Sequence, residues 1–302
     1  MDYEPYLSHL EMKRAASVQT IRAYRSDLKL FDSFLREYYV ASLSGVSHAL
    51  INEYIRHMRD KTNPRFGRTG LADASIARRL AAVSGYFEYV RAAGEYDLRN
   101  PLKDLAGKWK KENEPKPVDE LTLELLLTGI TNLRDRALFN LFVASGLRIS
   151  EMYQLNIDSI RIQSEEIKGV THYGGSGEVI GKGGKRRRFC VDEASVVIYA
   201  EYLLTRTDND PALFLSERKQ RMSIRAIQET LATLCKRLGA PHINVHRLRH
   251  TYATRLANGG INSAVLRDLM GHKSFTTTSG YFKLSDKTLA LGYFSAMEYR
   301  KG

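Results

Sequence analysis

The chain has 302 residues, enough for about two domains with ordinary cores. Its apolar and charged fractions are those of a globular protein, which excludes a disordered chain. The formal net charge is +12, shared as +5 over residues 1–110 (18 basic against 13 acidic) and +7 over the rest, so both halves suit a polyanionic partner, nucleic acid being the usual one.

Only Cys190 and Cys235 occur, which excludes a disulfide scaffold and any cysteine-based metal spacing. The N-terminus lacks a signal pattern, and no apolar run approaches the ~20 residues of a membrane span. A reducing, cytoplasmic setting without membrane contact is therefore expected.

The first hundred residues read as a bundle of four or five helices. From Val18 to Leu35, Ile21, Tyr24, Leu28, Phe31 and Leu35 recur every three or four residues, one apolar stripe, with Ser17 placed to cap it. Arg22, Arg25 and Lys29 keep the same spacing on another face, a solvated face or a strip for phosphates. A second helix is expected over His48–Met58. Residues 61–74, rich in Gly, Pro and polar types, read as a loop. Ser75 then precedes the stripe Ile76, Leu80, Val83, Phe87 and Val90, with Gly94 as the C-terminal stop. Arg78 and Arg79 flank that stripe as candidate DNA contacts. Residues 107–118 show no apolar period and carry four lysines and two prolines, so they are expected to link a domain 1–106 to a domain 119–302.

In the second domain, 121–130 and 134–144 are expected to be helical, ending at Gly146. Residues 160–191 alternate and are rich in β-branched residues and glycine, which predicts a small antiparallel sheet with a turn at 181–184. Helices resume over 193–204, 223–238, 247–258 and 263–270. The fold class is thus mainly α with a small antiparallel β-sheet, a helical domain preceding a mixed α/β one.

Several residues in this half carry chemistry suited to a phosphodiester. Cutting one requires fixed positive charge on the phosphorane, a proton for the leaving oxygen and an in-line nucleophile. Arginine meets the first need, since its fork donates to two oxygens and keeps its charge; Arg148 and Arg249 are the candidates. His246, Arg249 and His250 lie on one helix face by their spacing, with Asn244 as cap. His250 reads as a packed histidine behind the site. No Glu follows His246, so the pair is not a zinc-protease motif. Lys182 sits between glycines in the turn, free to approach another backbone closely. Lys185, Arg186, Arg187 and Arg188 form the densest basic run, either a solvated hairpin tip or a DNA contact. Tyr281 follows a polar run after His272, a setting that can present a phenol to a site rather than bury it.

Gly-Leu-Arg-Ile-Ser-Glu (146–151), Gly-Lys-Gly-Gly-Lys (181–185), His-Arg-Leu-Arg-His (246–250), Leu-Met-Gly-His (269–272) and Tyr281 together resemble the landmarks of the tyrosine recombinase (phage integrase) family, closest to its Xer-like, transposon and phage integrase branch. The similarity extends to the helical N-terminal half, which looks like the family's core-binding domain. The resemblance implies a site-specific recombinase working without metal, ATP or other cofactor. Arg148 and Arg249 would hold the scissile phosphate. His246 and His272 would complete the cage, with His246 a candidate base on the phenol. Lys182 would protonate the 5′ oxygen, with Lys185 as alternative because the stretch from Asp158 to Lys182 is long for the family. Tyr281 would form a 3′-phosphotyrosyl bond, and Glu151 would orient the site. Partners would be double-stranded DNA, three further copies in a tetramer on two duplexes joined through segment 284–302, and accessory DNA-bending proteins. A type IB topoisomerase-like enzyme and a non-catalytic DNA-binding protein of the same fold are the competing readings.

Overall fold

The structure is a computed structural model; it describes residues 1–14, 16–60, 62–63, 68–94, 97–103, 117–167, 169–181, 184–272, 278 and 281. The chain divides into two compact units, Met1–Asn113 and Glu114–Gly302. Most of the expected linker, 107–116, lies outside the described residues. Its last residue, Val118, is packed into the second unit, where its N–H donates to Thr251 Oγ1 at 2.8 Å.

The first unit holds helices α1 (Glu4–Arg14), α2 (Val18–Glu37), α3 (His48–Asp60) and α4 (Asp73–Ala92). The Ser17 hydroxyl caps α2 by accepting from the Thr20 N–H. The predicted stripe of α2 packs inward with Ile51, Tyr54 and Met58 of α3 and Ile76, Leu80, Val83 and Phe87 of α4. Each such fully buried side chain contributes roughly 1.5–3 kcal/mol of hydrophobic stabilisation. At Gly85 the α1 residue Tyr6 comes so close that a Cβ would fall 2.2 Å from its hydroxyl.

Two expectations for this region change. The 61–74 segment is not all loop: β1 (Thr62–Asn63) pairs antiparallel with β2 (Arg68–Thr69). Helix α4 begins at Asp73 rather than after Ser75; Ala72 is its N-cap and supplies no side-chain bond, while Asp73 in the first turn suits the helix dipole.

The second unit is built around α6 (Leu133–Ser145), whose Ala137, Leu138, Phe139, Leu141 and Phe142 are all buried. The unit also holds α5 (Glu120–Gly129), α7 (Ile149–Gln154), α8 (Glu193–Leu204), α9 (Ile224–Arg237), α10 (Val245–Asn258) and α11 (Ser263–Met270); α5, α8 and α10 pack on α6, α7 meets α9, and α11 meets α10. The expected sheet is present, with antiparallel order β3 (Arg161–Ile167), β4 (Val170–Ile180), β5 (Arg186–Asp192). Strand β5 alternates strictly, burying Arg187, Phe189 and Val191 against α6, α8 and α11. Among the described residues no helix is long and apolar enough to cross a membrane. The segment 284–302 lies outside them.

Candidate active site

The site begins at a glycine. Gly146 ends α6 in the left-handed conformation, φ 57°, which a Cβ would strain. A Cβ here would also fall 2.3 Å from Tyr252 Cδ1. The turn directs the chain into α7 with Arg148 at its N-cap. Arg148 is tied to Glu151 twice: its N–H donates to Oε2 at 2.7 Å and Nη1 to Oε1 at 2.9 Å.

Glu151 is only 1 % exposed and holds a second arginine, since Arg187 donates through Nε to Oε1 at 3.2 Å and through Nη2 to Oε2 at 2.6 Å. Burial would raise the Glu151 pKa, but the Arg187 hydrogen bonds and charge, together with Arg148, outweigh it and carry it down to about 2. Arg187 also donates through Nη1 to the Leu269 carbonyl at the end of α11. It therefore joins β5, α7 and α11. This corrects its assignment to a DNA-facing run: the strand's alternation turns it inward while Arg186 and Arg188 stay exposed. Arg188 lies 3.6 Å from Glu178 across the sheet.

Arg249 rises from α10 and is 3 % exposed, donating through Nη1 to the Gly146 carbonyl at 2.6 Å and through Nη2 to the Met270 carbonyl. Burial, then repulsion from Arg148 and Arg187, lowers its pKa to about 9, so it stays charged at neutral pH. Three guanidinium charges thus surround one carboxylate, a surplus of +2 in a largely buried place. Such a surplus is stable only with an anion or solvent at its open edge. That edge is a cleft of about 1010 Å³ lined by Arg148, Gly181, Lys185, Arg186, Arg267 and His272, among others.

Gly271 ends α11 at φ 58°, and a Cβ there would meet Arg187 Cδ at 2.7 Å, so this glycine lets His272 follow directly beside the arginines. His272 Nδ1 lies 2.9 Å from Thr278 Oγ1. Burial, then Arg249 and Arg148, hold its pKa down to about 4, so the ring is neutral at pH 7. His246 is shifted the same way by burial, Arg249 and Arg148. It faces a second cavity, of about 570 Å³, that it shares with Arg148 and Arg249.

Tyr281 is buried, 9 % exposed, beside the histidines of the site. Its hydroxyl lies 2.6 Å from His250 Nδ1. His250 is therefore not simply a packed residue behind the site; among the described residues it is the side chain hydrogen-bonded to the phenol, a role that its i+4 spacing from His246 could have signalled.

Lys182 lies outside the described residues. Gly181 beside it comes close to the site, a Cβ falling 3.4 Å from Glu151 Oε1, and Lys185 is exposed on the cleft. In the first unit Arg22 and Lys29 are exposed, but Arg25 is engaged by Glu4 at 2.9 and 2.8 Å. Arg78 and Arg79, the other candidate DNA contacts of this unit, meet at one acidic residue. Both turn to the buried Asp27, Arg78 through Nη1 and Arg79 at 3.5 Å, because a carboxylate inside α2 needs compensating charge.

The sequence pattern described as the phage integrase family is matched over residues 118–288, and that of the phage integrase N-terminal SAM-like domain over residues 4–94. The chain belongs to the phage integrase family. A tyrosine recombinase XerC of Herpetosiphon aurantiacus is 31% identical over 297 residues, covering 94% of this integrase-family chain and 90% of the relative. A tyrosine recombinase XerC of Histophilus somni is 30% identical over 301 residues, covering 97% and 96%. The fold is shared with the XerH site-specific recombinase in a post-cleavage complex with a palindromic difH substrate (TM-score 0.71, 19% identity, covering 95% of this chain and 84% of that one). It is shared also with the Tn1549 transposon integrase in complex with circular intermediate DNA (TM-score 0.70, 18% identity, 95% and 97% covered). The chain is accordingly a site-specific tyrosine recombinase, and neither the topoisomerase-like nor the non-catalytic reading is favoured.

Proposed function

We propose that this recombinase binds double-stranded DNA and cleaves it by attack of Tyr281 on a phosphodiester, leaving a 3′-phosphotyrosyl bond and a free 5′-hydroxyl. The observation that carries the reading is the +2 surplus of guanidinium charge around Glu151 with a buried phenol in the same site. Arg148 and Arg249 bind the non-bridging oxygens and stabilise the phosphorane. His246 and His272, neutral at working pH, donate hydrogen bonds to it. Glu151 and Arg187 fix the guanidinium of Arg148 in place. Lys182, or Lys185 from the cleft rim, supplies the proton to the 5′ oxygen. The covalent bond conserves the energy of the phosphodiester, so rejoining requires no ATP and the scheme routes no step through a metal.

The further assembly is part of the same proposal. Four copies act on two duplexes through a Holliday junction, segment 284–302 docks on a neighbouring copy, and segment 107–118 joins a DNA-binding domain 1–106 to the catalytic domain. The setting is cytoplasmic, with DNA-bending proteins as accessory partners.

A suicide duplex nicked beside the cut site tests the chemistry. The wild-type chain is expected to form an adduct that survives a denaturing gel, in excess EDTA as well, and Tyr281→Phe is expected to lose it while retaining duplex binding. An adduct undiminished in Tyr281→Phe assigns the nucleophile elsewhere, and loss of cleavage under chelation removes the metal-free scheme.

A further inference from the structure

The phenol has one described polar side-chain partner, and it is not the histidine that the sequence offers as a base. His250 Nδ1 lies 2.6 Å from the Tyr281 hydroxyl, with ring centroids 5.7 Å apart. His246 stands behind it, edge-on to the His250 ring at 4.4 Å. His272 lies nearly parallel to the Tyr281 ring at 6.3 Å, and its Nδ1 is engaged with Thr278 Oγ1. We propose that His250 is the general base that takes the phenolic proton as Tyr281 attacks phosphorus. This rests on Tyr281 being the nucleophile, as proposed above.

The protonation states fit the direction of transfer. Burial raises the phenol, so Tyr281 keeps its proton at rest. Burial, then His246 and Arg249, hold His250 down to about 4, so its ring is unprotonated and the phenol donates to Nδ1. In the step itself the phenolic O–H bond breaks and its proton passes to Nδ1. The freed electron pair forms the new O–P bond, and the P–O5′ bond breaks as the leaving oxygen takes a proton from the lysine acid. On rejoining, Nδ1 returns the proton to the phenol. The groups facing His250 without DNA are positive or neutral, namely Arg249, His246, His272 and Tyr281. A bound phosphodiester brings the negative charge that favours the imidazolium, so the base strengthens when substrate is present. Helix α10 carries both the base and the phosphate-binding Arg249, which fixes their separation.

Two variants separate proton transfer from simple positioning. His250→Asn sets an amide oxygen near the place of Nδ1; it accepts the phenolic hydrogen bond but takes no proton. His250→Ala opens a space for free imidazole. Adduct formation on the nicked duplex is measured under single turnover, beside duplex affinity and thermal melting. Both variants are expected to be slower by about 10²-fold or more, within the usual range for a general base, with affinity unchanged. Imidazole is expected to restore His250→Ala in proportion to its unprotonated fraction. An Asn variant cleaving near the wild-type rate, or an Ala variant unmoved by imidazole, overturns the proposal and leaves His250 as a prop for the phenol. An adduct that survives Tyr281→Phe removes the nucleophile and the base together, whereas wild-type rates in both His250 variants with Tyr281 still essential remove the base alone.

Discussion

Arg249 Nη1 donates to the Gly146 carbonyl at 2.6 Å, so the turn that ends α6 is also the seat of a guanidinium proposed to hold the phosphate. The same turn aims Arg148 at Glu151, and no side chain fits at position 146 because Tyr252 fills the space. Gly146→Ala meets two penalties: about 1–2 kcal/mol for a left-handed non-glycine residue and about 1–3 kcal/mol for the clash. Melting is expected to fall by ~5–15 °C. Adduct formation is expected to fall further than folding loss explains, since both arginines move with the turn. Calorimetry and the nicked-duplex assay on the same sample check this; unchanged cleavage by the folded fraction would separate the turn from the chemistry.

Two buried carboxylates should lose very different amounts of stability on the same neutral replacement. Glu151 is held charged by Arg187 and Arg148 despite burial, with a pKa of about 2. Asp27 is shifted upward, burial outweighing Arg78 and Arg79. Glu151→Gln breaks a paired site and is expected to cost about 3–5 kcal/mol. Asp27→Asn removes a charge that burial disfavours, and Arg78 can reach water, so a change within about 1 kcal/mol is expected. Urea titrations of the two variants decide. Equal losses would mean that the two clusters are energetically alike and that the pKa directions mislead.

The stripes of α2 and α4 and the caps at Ser17 and Asn244 were legible because local periodicity and a single hydroxyl or amide decide them. The start of α4 was not, since Ser75 is a better cap by type than Ala72 and only packing against α2 chooses between them. Helix α1 carries no clean stripe: its buried Tyr6, Leu7 and Leu10 are explained by where α4 lies, at Gly85. In the site, the motifs point to Arg148, His246, Arg249 and His272, but by charge alone Lys185, Arg186, Arg187 and Arg188 look equivalent. The strand period held the missing information: Arg187 is in phase with Phe189 and Val191, which marks it as inward.

Acid should loosen the catalytic unit in two stages. His250 and His272 have folded pKa values of about 4, below the ordinary 6.5. A histidine so depressed binds its proton in the unfolded chain first, so the stability tied to its neutral form is complete above pH 6.5 and is lost as pH falls toward 4. Glu151, depressed from 4.5 to about 2, contributes stability that is complete above 4.5 and lost as pH falls toward 2. Melting temperature is therefore expected to fall most steeply between pH 6.5 and 4, where two histidines take up protons, and more gently below 4, where Glu151 does. His272→Asn should roughly halve the first stage, leaving the share of His250, and should not change the second. A flat profile from about pH 7 to 5 in the wild-type chain would mean that the rings are solvated in the free protein.

The salt dependence of duplex binding distinguishes arginines that look alike in the sequence. Arg22, Arg25 and Lys29 share one face of α2, yet Arg25 is already held by both oxygens of Glu4. Binding to phosphates releases counterions, and each contact adds about 0.9 to the slope of log affinity against log salt. If the proposed strip meets DNA, Arg22→Ala and Lys29→Ala should each lower that slope by about 1 and weaken all sequences alike. Arg25→Ala should leave the slope unchanged, because its charge is neutralised before DNA arrives. The pair with Glu4 is exposed at 48% and 56%, so water competes for it and its own worth is small. A slope that falls equally for Arg25→Ala would show that DNA outcompetes Glu4 and that the exposed pair opens on binding.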